Sequence, residues 1–290
     1  MRPILRPGTH VLSRGAGELQ VGLDPRTALV LPDSPPVRDA LRLIAVSADV
    51  TDHRYGATLD VLAAHDLLLD ERALVPPPGR DGLAAPTVAA LARTAGPRAP
   101  DVRRARDRWR TETRTFGHPA GSGVRRDLVA LLETAGLHAH RGRSAPDCGV
   151  LVGVGEPDRE LVDAWTRAGT PYLLVRLTEG RAVVGPFVVP GTTACLRCLD
   201  AHHTDVDPAW PLLVRQYAAA CSHDRDDGAP EPLDPLLAAI AVGWAARDLA
   251  AYVDGHRPST WSSTLTLHAG VDGLESQAWL RHPGCSCTWD

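Results

Sequence analysis

Four of the six cysteines in this 290-residue sequence form two close pairs. Cys195 and Cys198 make a C-x-x-C, and Cys285 and Cys287 make a C-x-C. Two pairs of thiolates are what a closed, tetrahedral structural zinc site requires. We therefore predict that these four residues bind one structural Zn²⁺, which would tie two remote segments of the chain together.

Two alternatives to this ligand set remain open. A C-x-x-C is also the motif of redox-active dithiols, although that function leaves the second pair unexplained. His202 or His203 could replace one of the cysteines, because a C-x-x-C followed shortly by histidine also fits zinc.

A glycine-rich segment at 116–123, FGHPAGSG, is the candidate nucleotide site. We place it between the first strand of a sheet and the following helix, where Gly117, Gly121 and Gly123 would let the backbone approach phosphate. Pro119 has no N–H to donate, and the pattern G-x-G-x-x-G is not met. We interpret it as a degenerate nucleotide loop and expect no ATP cofactor; weak phosphate binding stays open.

The acids of a nucleotide site are also missing. A ribose-binding acid normally lies at the end of the next strand, about 20 residues on, and residues 138–143 contain none. Glu156 and Asp158 stand where an acid would hold Mg²⁺, but we favour Asp158 as a helix cap.

Cys221 is the one weak candidate for a catalytic residue. His223 and Arg225 follow it and could lower its pKa, as a nucleophilic thiolate requires. An ordinary loop cysteine is the interpretation we prefer, so no catalytic residue is assigned.

Residues 113–290 are predicted to form a Rossmann-like, doubly wound α/β domain. The continuous apolar run Gly149–Val154 is typical of a buried parallel strand, and the long apolar run Leu233–Val253 of a buried helix. The other predicted strands are Thr113–Phe116, Tyr172–Leu177, Arg181–Val189, Thr264–His268 and Gln277–Leu280, and the other helices are Val124–Ala135 and Asp158–Ala168.

Residues 1–78 are predicted to form a winged-helix-like peptide-recognition module, and 79–112 a linker and helix. Short strands around the turn at 14–17 precede a helix that Pro35 opens. Glu18–Leu23 is the candidate edge strand for an added peptide strand, and Arg38 and Arg42 are either contacts for acidic residues or simply solvent-exposed. The arginine-rich segment 103–110 is best explained as a mixed-charge surface helix.

Composition excludes several classes of function. The sequence contains no lysine, which rules out the usual P-loop and pyridoxal enzymes. A net charge of −4 argues against nucleic acid as a partner. We find no run of 18 apolar residues and no signal core, so we expect a cytoplasmic protein without membrane contact.

The order of features in 113–287 resembles the ThiF/MoeB (ubiquitin-activating enzyme-like) superfamily. The similarity is strongest over 171–199, where a strand, a hairpin and a C-x-x-C follow one another before a long apolar helix and a second cysteine pair. The resemblance implies that Cys195, Cys198, Cys285 and Cys287 are zinc ligands and that the loop Gly117–Gly123 occupies the ATP-phosphate position. It also implies a homodimer.

The whole chain, with the segment HVLSRGAGELQVGLDPRTALVL at 10–31, resembles ThiF-like partner proteins of YcaO cyclodehydratases in azole-peptide biosynthesis. That resemblance implies a non-catalytic scaffold that binds a precursor's leader peptide and presents it to a cyclodehydratase. The alternative is an ATP-dependent enzyme that adenylates a carboxylate and passes it to Cys221. A DNA-binding winged helix is a third hypothesis, which the weak basic character of residues 1–75 disfavours.

Overall fold

The computed structural model describes residues 2–48, 50, 52–74, 83–140, 145–224, 226–229, 231–270 and 273–288. The chain divides into two compact units, Met1–Arg104 and Ala105–Asp290. Three predictions fall on residues outside this description. They concern Arg225 beside Cys221, residues 79–82 of the predicted linker, and Arg141–Arg143.

The first unit combines short strands with small helices. Its strands are β1 (Pro3–Leu5), β2 (Val11–Gly15), β3 (Glu18–Val21), β4 (Leu29–Pro32) and β5 (Leu68–Asp70). Its helices are α1 (Pro35–Ala45), α2 (Gly56–Ala64) and α3 (Ala85–Ala95), followed by α4 (Ala99–Arg108), which ends beyond the boundary between the units.

A three-stranded antiparallel sheet with the order β2-β3-β4 underlies this unit. Leu29 and Leu31 alternate with exposed Val30, so one face of the sheet is buried. α1 covers that face with Val37, Ala40, Leu41 and Ile44. The predicted edge strand is wrong: β3 is the central strand, because Leu29–Pro32 pairs along one side of it and β2 along the other.

The second unit contains one seven-stranded mixed sheet. Its strands are β6 (Arg110–Gly117), β7 (His138–Ala139), β8 (Cys148–Val154), β9 (Tyr172–Thr178), β10 (Arg181–Val188), β11 (Ser263–Leu267) and β12 (Leu274–Ala278). Its helices are α5 (Gly121–Thr134), α6 (Glu160–Arg167), α7 (Leu196–Val206), α8 (Trp210–Ala220) and α9 (Pro235–Val253).

The strand order in this sheet is β12-β11-β10-β9-β8-β6-β7. The strands β7, β6, β8 and β9 run parallel, whereas β9 through β12 pair antiparallel. The prediction of an α/β sheet is confirmed, with the correction that only one half of it is parallel. The order turns around between β6 and β8, which is where ligands bind in open α/β sheets.

Helices bury both faces of the sheet. α5 and α9 pack on one face, and α6 and α7 on the other. α9 is long and apolar enough to cross a membrane by length and composition, yet half of that stretch is buried inside the unit, as in the core helix of a globular domain. Its buried Asp248 accepts hydrogen bonds from the backbone amides and hydroxyls of Ser259 and Thr260.

The arginine-rich segment is mostly engaged with the protein itself. The guanidinium of Arg106 is buried and pairs with Asp254 at 2.6 Å. Arg104 pairs with Asp101 on the surface of α4. Arg104 fits the predicted mixed-charge surface helix, whereas Arg106 departs from it because its guanidinium is buried.

Candidate metal centre and glycine loop

The start of α7 brings the four predicted ligands together. Cys195 is the residue that caps α7, and Cys198 lies in its first turn. Cys285 and Cys287 arrive from the C-terminal segment, where Cys287 sits in a single 3₁₀ turn. None of these four cysteines forms a disulfide, and their sulfur atoms lie within 4.8 Å of one another.

The sulfur–sulfur distances suit a single ion. A tetrahedral site with Zn–S bonds of about 2.3 Å has sulfur–sulfur edges of about 3.8 Å. The observed separations are 3.7 Å for Cys195–Cys198, 3.7 Å for Cys195–Cys285 and 3.3 Å for Cys198–Cys287. The four thiols are therefore close enough to bind one metal ion.

Because these cysteines are buried close together, their thiolate forms would repel one another unless a cation neutralised the charge. Cys195, Cys198 and Cys285 are buried, and Cys287 is partly buried. The hydrogen bond from Cys195 lowers the pKa of Cys198 to about 4. Burial and the hydrogen bond with Cys198 raise the pKa of Cys287 to about 12. The thiolate of Cys198 is thus stabilised while Cys287 keeps its proton, and a divalent ion would favour the thiolate form of its ligands.

Hydrogen bonds hold the C-terminal segment against α7. Arg281 donates to the carbonyl oxygen of Cys287 at 2.8 Å and to that of Gly191 at 2.6 Å. The hydroxyl of Ser262 accepts from the amide of Ala194 and donates to the carbonyl of Trp279. These contacts fix the two cysteine pairs relative to each other without any ion.

The histidines proposed as alternative ligands have other partners. His202 donates from Nε2 to the carbonyl oxygen of Leu280 at 2.9 Å, and the ring of His203 stacks on Trp210 at 4.3 Å. His202 also lies beside Asp205 and His282, and the side-chain ligand atoms of these three residues form a group of their own. His282 accepts from the amide of Gly284 at Nδ1, so its Nε2 carries the proton that it donates to Asp205. Through these hydrogen bonds the cluster joins α7 to the C-terminal segment.

The glycine loop lies at the sheet position where nucleotides bind, between β6 and α5. In a phosphate-binding loop, the first amides of the helix point at the ligand. Here each of them has a partner within the loop. The pairs are Gly121 N–H to His118 O at 3.0 Å, Ser122 N–H to Pro119 O at 3.0 Å, Gly123 N–H to Ala120 O at 3.2 Å and Ala120 N–H to His118 Nδ1 at 3.2 Å.

Two of the three predicted glycines are needed for close packing. Gly117 has φ +68°, and a Cβ there would lie 1.8 Å from the carbonyl oxygen of Val154. A Cβ at Gly121 would lie 3.1 Å from Cα of Gly153. Only open space surrounds Gly123. The glycines at 117 and 121 thus serve the contact between this loop and β8.

The carboxylates near the loop are also engaged. Asp158 accepts from the amide of Glu160 at 3.0 Å, although the residue at the N-cap of α6 is Arg159, one position later than predicted. Glu156 binds Arg159 at 2.9 Å and Arg176 at 2.8 Å. For Glu156 to bind Mg²⁺, its carboxylate would first have to break the ion pairs with both arginines.

Arg159 extends this contact into a buried network that the sequence did not predict. It donates two hydrogen bonds to Asp200 of α7, at 2.8 and 2.9 Å, and Trp210 donates a third to the same carboxylate. Burial opposes the ionisation of Asp200, but the bonds from Arg159 hold its pKa below the usual value. No sequence pattern links Arg159 to a carboxylate 41 positions away.

Cys221 covers the end of β8. A Cβ on Gly155 would lie 2.7 Å from its sulfur. Burial raises the pKa of Cys221, which is opposite to the lowering that a catalytic thiolate requires. The neighbouring loop instead joins the glycine loop through His118, whose Nε2 lies 2.9 Å from Asp224 Oδ1.

No protein-family model matches the chain, and no curated protein matches it by sequence. Solved structures do. The heterocyclase TruD superposes with a TM-score of 0.72 and 17% identity over 99% of this chain and 42% of its own. A heterocyclase in complex with substrate and cofactor gives 0.70 and 16%, covering 99% of this chain and 39% of that one.

Full-length similarity is found with E. coli MccB. Its structure with MccA gives a TM-score of 0.62 and 14% identity and covers 100% of both chains. Its structure with ATP gives 0.61 and 13%, covering 99% of this chain and 100% of that one. The chain spans about two fifths of the heterocyclases it matches. The chain therefore shares its α/β fold with TruD and MccB.

Proposed function

We propose that this chain is a non-catalytic, zinc-stapled scaffold that binds the leader part of a precursor peptide and presents it to a YcaO-type cyclodehydratase. Residues 1–78 serve as the winged-helix-like recognition module, 79–112 as linker and helix, and 113–290 as the ThiF-like domain. Its six cysteines form no disulfide, which fits the reducing cytoplasm, where we place it.

The observation that carries the proposal is the state of the glycine loop. Its first helical amides bond to acceptors within the loop, so a phosphate would have to displace contacts that already exist. Glu156 is held by two arginines, and the chain has no lysine to offer a phosphate. Each of these features favours a scaffold over an adenylating enzyme.

The outer edge of β4 is the place where we expect the peptide to add as a strand. The amide of Asp33 donates to the carbonyl oxygen of Gly17, the residue just before β3, at 2.7 Å, and the direction of amides alternates along a strand. Leu29 and Leu31 therefore point their main-chain groups at β3, and Val30 points its own outward. β2 is the poorer edge, because its pairing shifts register between Ser13 and Gly15.

Similarity to peptide-handling proteins supports this use. MccB has been crystallised with MccA, and a heterocyclase with its substrate. The alignment covers this chain from end to end in each case. Involvement in the biosynthesis of azole or microcin-like peptides is the common denominator of these neighbours.

Calorimetry with a synthetic leader peptide from a precursor encoded beside this gene tests the proposal. Val30→Pro removes an outward N–H and should weaken binding at least tenfold, which is about 1.4 kcal/mol. Val30→Ala keeps that N–H and should bind nearly as the wild type does. Val11→Pro on β2 is the matched control for the other edge. Absence of binding by the wild-type chain at high micromolar peptide would count against the scaffold.

Adenylation is the second candidate, since the chain aligns over its full length with MccB crystallised with ATP. It predicts ATP–pyrophosphate exchange and a thioester that Cys221→Ala abolishes. Under our proposal, the purified chain gives no exchange, and millimolar MgATP leaves its melting temperature unchanged. Exchange at a steady rate would establish the enzyme and overturn the scaffold.

A further inference from the structure

One face of α7 runs from the first cysteine pair along the C-terminal segment. Cys198, His202 and Asp205 follow one another at intervals of four and three residues, which places them on the same side of a helix. Each contacts the segment 280–287 within about 10 Å of helix length. The contacts are Cys198 Sγ to Cys287 Sγ at 3.3 Å, His202 Nε2 to the carbonyl oxygen of Leu280 at 2.9 Å, and Asp205 Oδ2 to His282 Nε2 at 2.9 Å.

His282 is the residue of this segment that contacts both cysteine pairs. Its carbonyl oxygen accepts from the amide of Cys285 at 3.0 Å, and its Nδ1 accepts from the amide of Gly284 at 3.0 Å. Its own amide donates to the sulfur of Cys198. His282 therefore fixes the turn that leads into Cys285 and joins that turn to α7.

The ring of His282 is held in one orientation. Its Nε2–H donates to Asp205, and the ring of His202 lies edge-on to it, with centroids 4.9 Å apart and planes at 87°. The side chain of His282 is only 16% exposed. Because both ring nitrogens already have partners, His282 is not itself placed to be a metal ligand.

These contacts should affect metal binding more than overall stability. Asp205 is 66% exposed, and a pair so accessible to water adds little to the stability of a fold. Ordering is a different matter, because a segment that is already in place loses little further freedom when an ion is bound. The gain appears as affinity for the ion.

We propose that His282 is a positioning residue of the cysteine centre. With Asp205 and His202, it holds the second cysteine pair beside the first before an ion binds. Residues that orient metal ligands in this way typically contribute a factor of about 10–100 to metal affinity. The role rests on the zinc staple of the proposed scaffold and is independent of leader-peptide binding.

Competition with a chromophoric chelator measures the affinity of the full chain for Zn²⁺. Asp205→Ala removes the acceptor of the His282 Nε2–H and should weaken zinc binding about tenfold, and His282→Ala, which also loses the bond to Gly284, by up to about 100-fold. Asp205→Asn keeps an oxygen acceptor and should bind zinc nearly as tightly as the wild type. Val206→Ala is the matched control, because Val206 adjoins Asp205 and is 86% exposed.

Melting temperatures of the metal-free and zinc-bound forms separate positioning from a purely structural role. Positioning lowers the melting temperature of the zinc-bound Asp205→Ala protein more than that of its metal-free form. Equal losses in both forms, with zinc affinity unchanged in Asp205→Ala and His282→Ala, would overturn the role of His282 and leave the zinc staple standing. A wild-type chain that binds no zinc would remove the staple as well.

Discussion

The two candidate sites predicted from the sequence, the cysteine cluster and the glycine loop, each lie at the start of a helix in the second unit. They differ in whether their polar groups already have partners that a ligand would have to displace. At the start of α7, four thiols converge with three of them buried and no positive charge among them. At the start of α5, the glycine loop bonds its own amides. The four sulfur atoms converge at distances that suit one metal ion, whereas the amides of the glycine loop are already bonded within the loop.

The comparison teaches that position in the fold does not decide what a site binds. The glycine loop has the right place, between β6 and α5, for a nucleotide phosphate. Its polar groups are nevertheless satisfied, as are those of Glu156 beside it. The four cysteine sulfur atoms, in contrast, lie at distances that a single Zn²⁺ can bridge, and this geometry favours them as the ligand site.

The largest expected effect comes from the cysteine centre. Elemental analysis should find one zinc per chain, and Cys198→Ala should abolish it. Loss of the ion leaves the C-terminal segment held by hydrogen bonds alone, so we expect the melting temperature to fall by on the order of 10 °C.

Cys221→Ala and Cys148→Ala are the controls for this result. Both replace buried cysteines outside the cluster and should retain the zinc. If the wild-type protein contains no metal and Cys198→Ala leaves its melting temperature unchanged, the cysteines at the start of α7 do not bind a structural ion and the comparison with the glycine loop fails.

A smaller but substantial effect is expected from the buried ion-pair network. Arg159→Ala leaves the carboxylates of Asp200 and Glu156 without their shared partner, and breaking a buried pair in this way costs about 3–5 kcal/mol. Chemical denaturation measures the free energy of unfolding. Arg167→Ala on the exposed side of α6 should change it by less than about 0.5 kcal/mol.

The acid dependence of this network gives a third prediction. The pKa of Asp200 is lowered in the folded state, so its contribution is complete above the unfolded value of about 3.9 and is lost as pH falls through the folded value. Asp200→Asn should therefore be less stable than the wild type by about 1–3 kcal/mol at pH 5–7. The gap should close at lower pH.

Comparing the two proteins at each pH isolates Asp200, since acid also protonates the cysteine thiolates in both. A gap that stays constant down to pH 2.5 would assign the effect of the substitution to packing.

Sequence patterns predicted the parts of this fold that local chemistry dictates. The apolar run at 149–154 became β8, and the four cysteines met as expected. α8 was missed because Val214 is its one buried residue in the described chain, so it has no clear amphipathic face. β12 begins at Leu274, three residues before the predicted start, since its fully exposed side chains give no alternation. The network of Arg159 depends on tertiary contacts that spacing does not reveal.

The smallest expected effect concerns the glycine loop itself. Gly123 lies in the first turn of α5 with no atom near the position of a Cβ, and alanine is favoured over glycine in a helix by about 0.5–1 kcal/mol. Gly123→Ala should therefore stabilise the domain slightly and leave leader-peptide binding unchanged. Gly121→Ala is the matched control, because its Cβ would press against the backbone of Gly153, and it should destabilise the domain. A loop that still accepted phosphate would respond differently: Gly123→Ala would then weaken the thermal stabilisation by MgATP, and such a loss would mean that the amides of this loop open for a nucleotide.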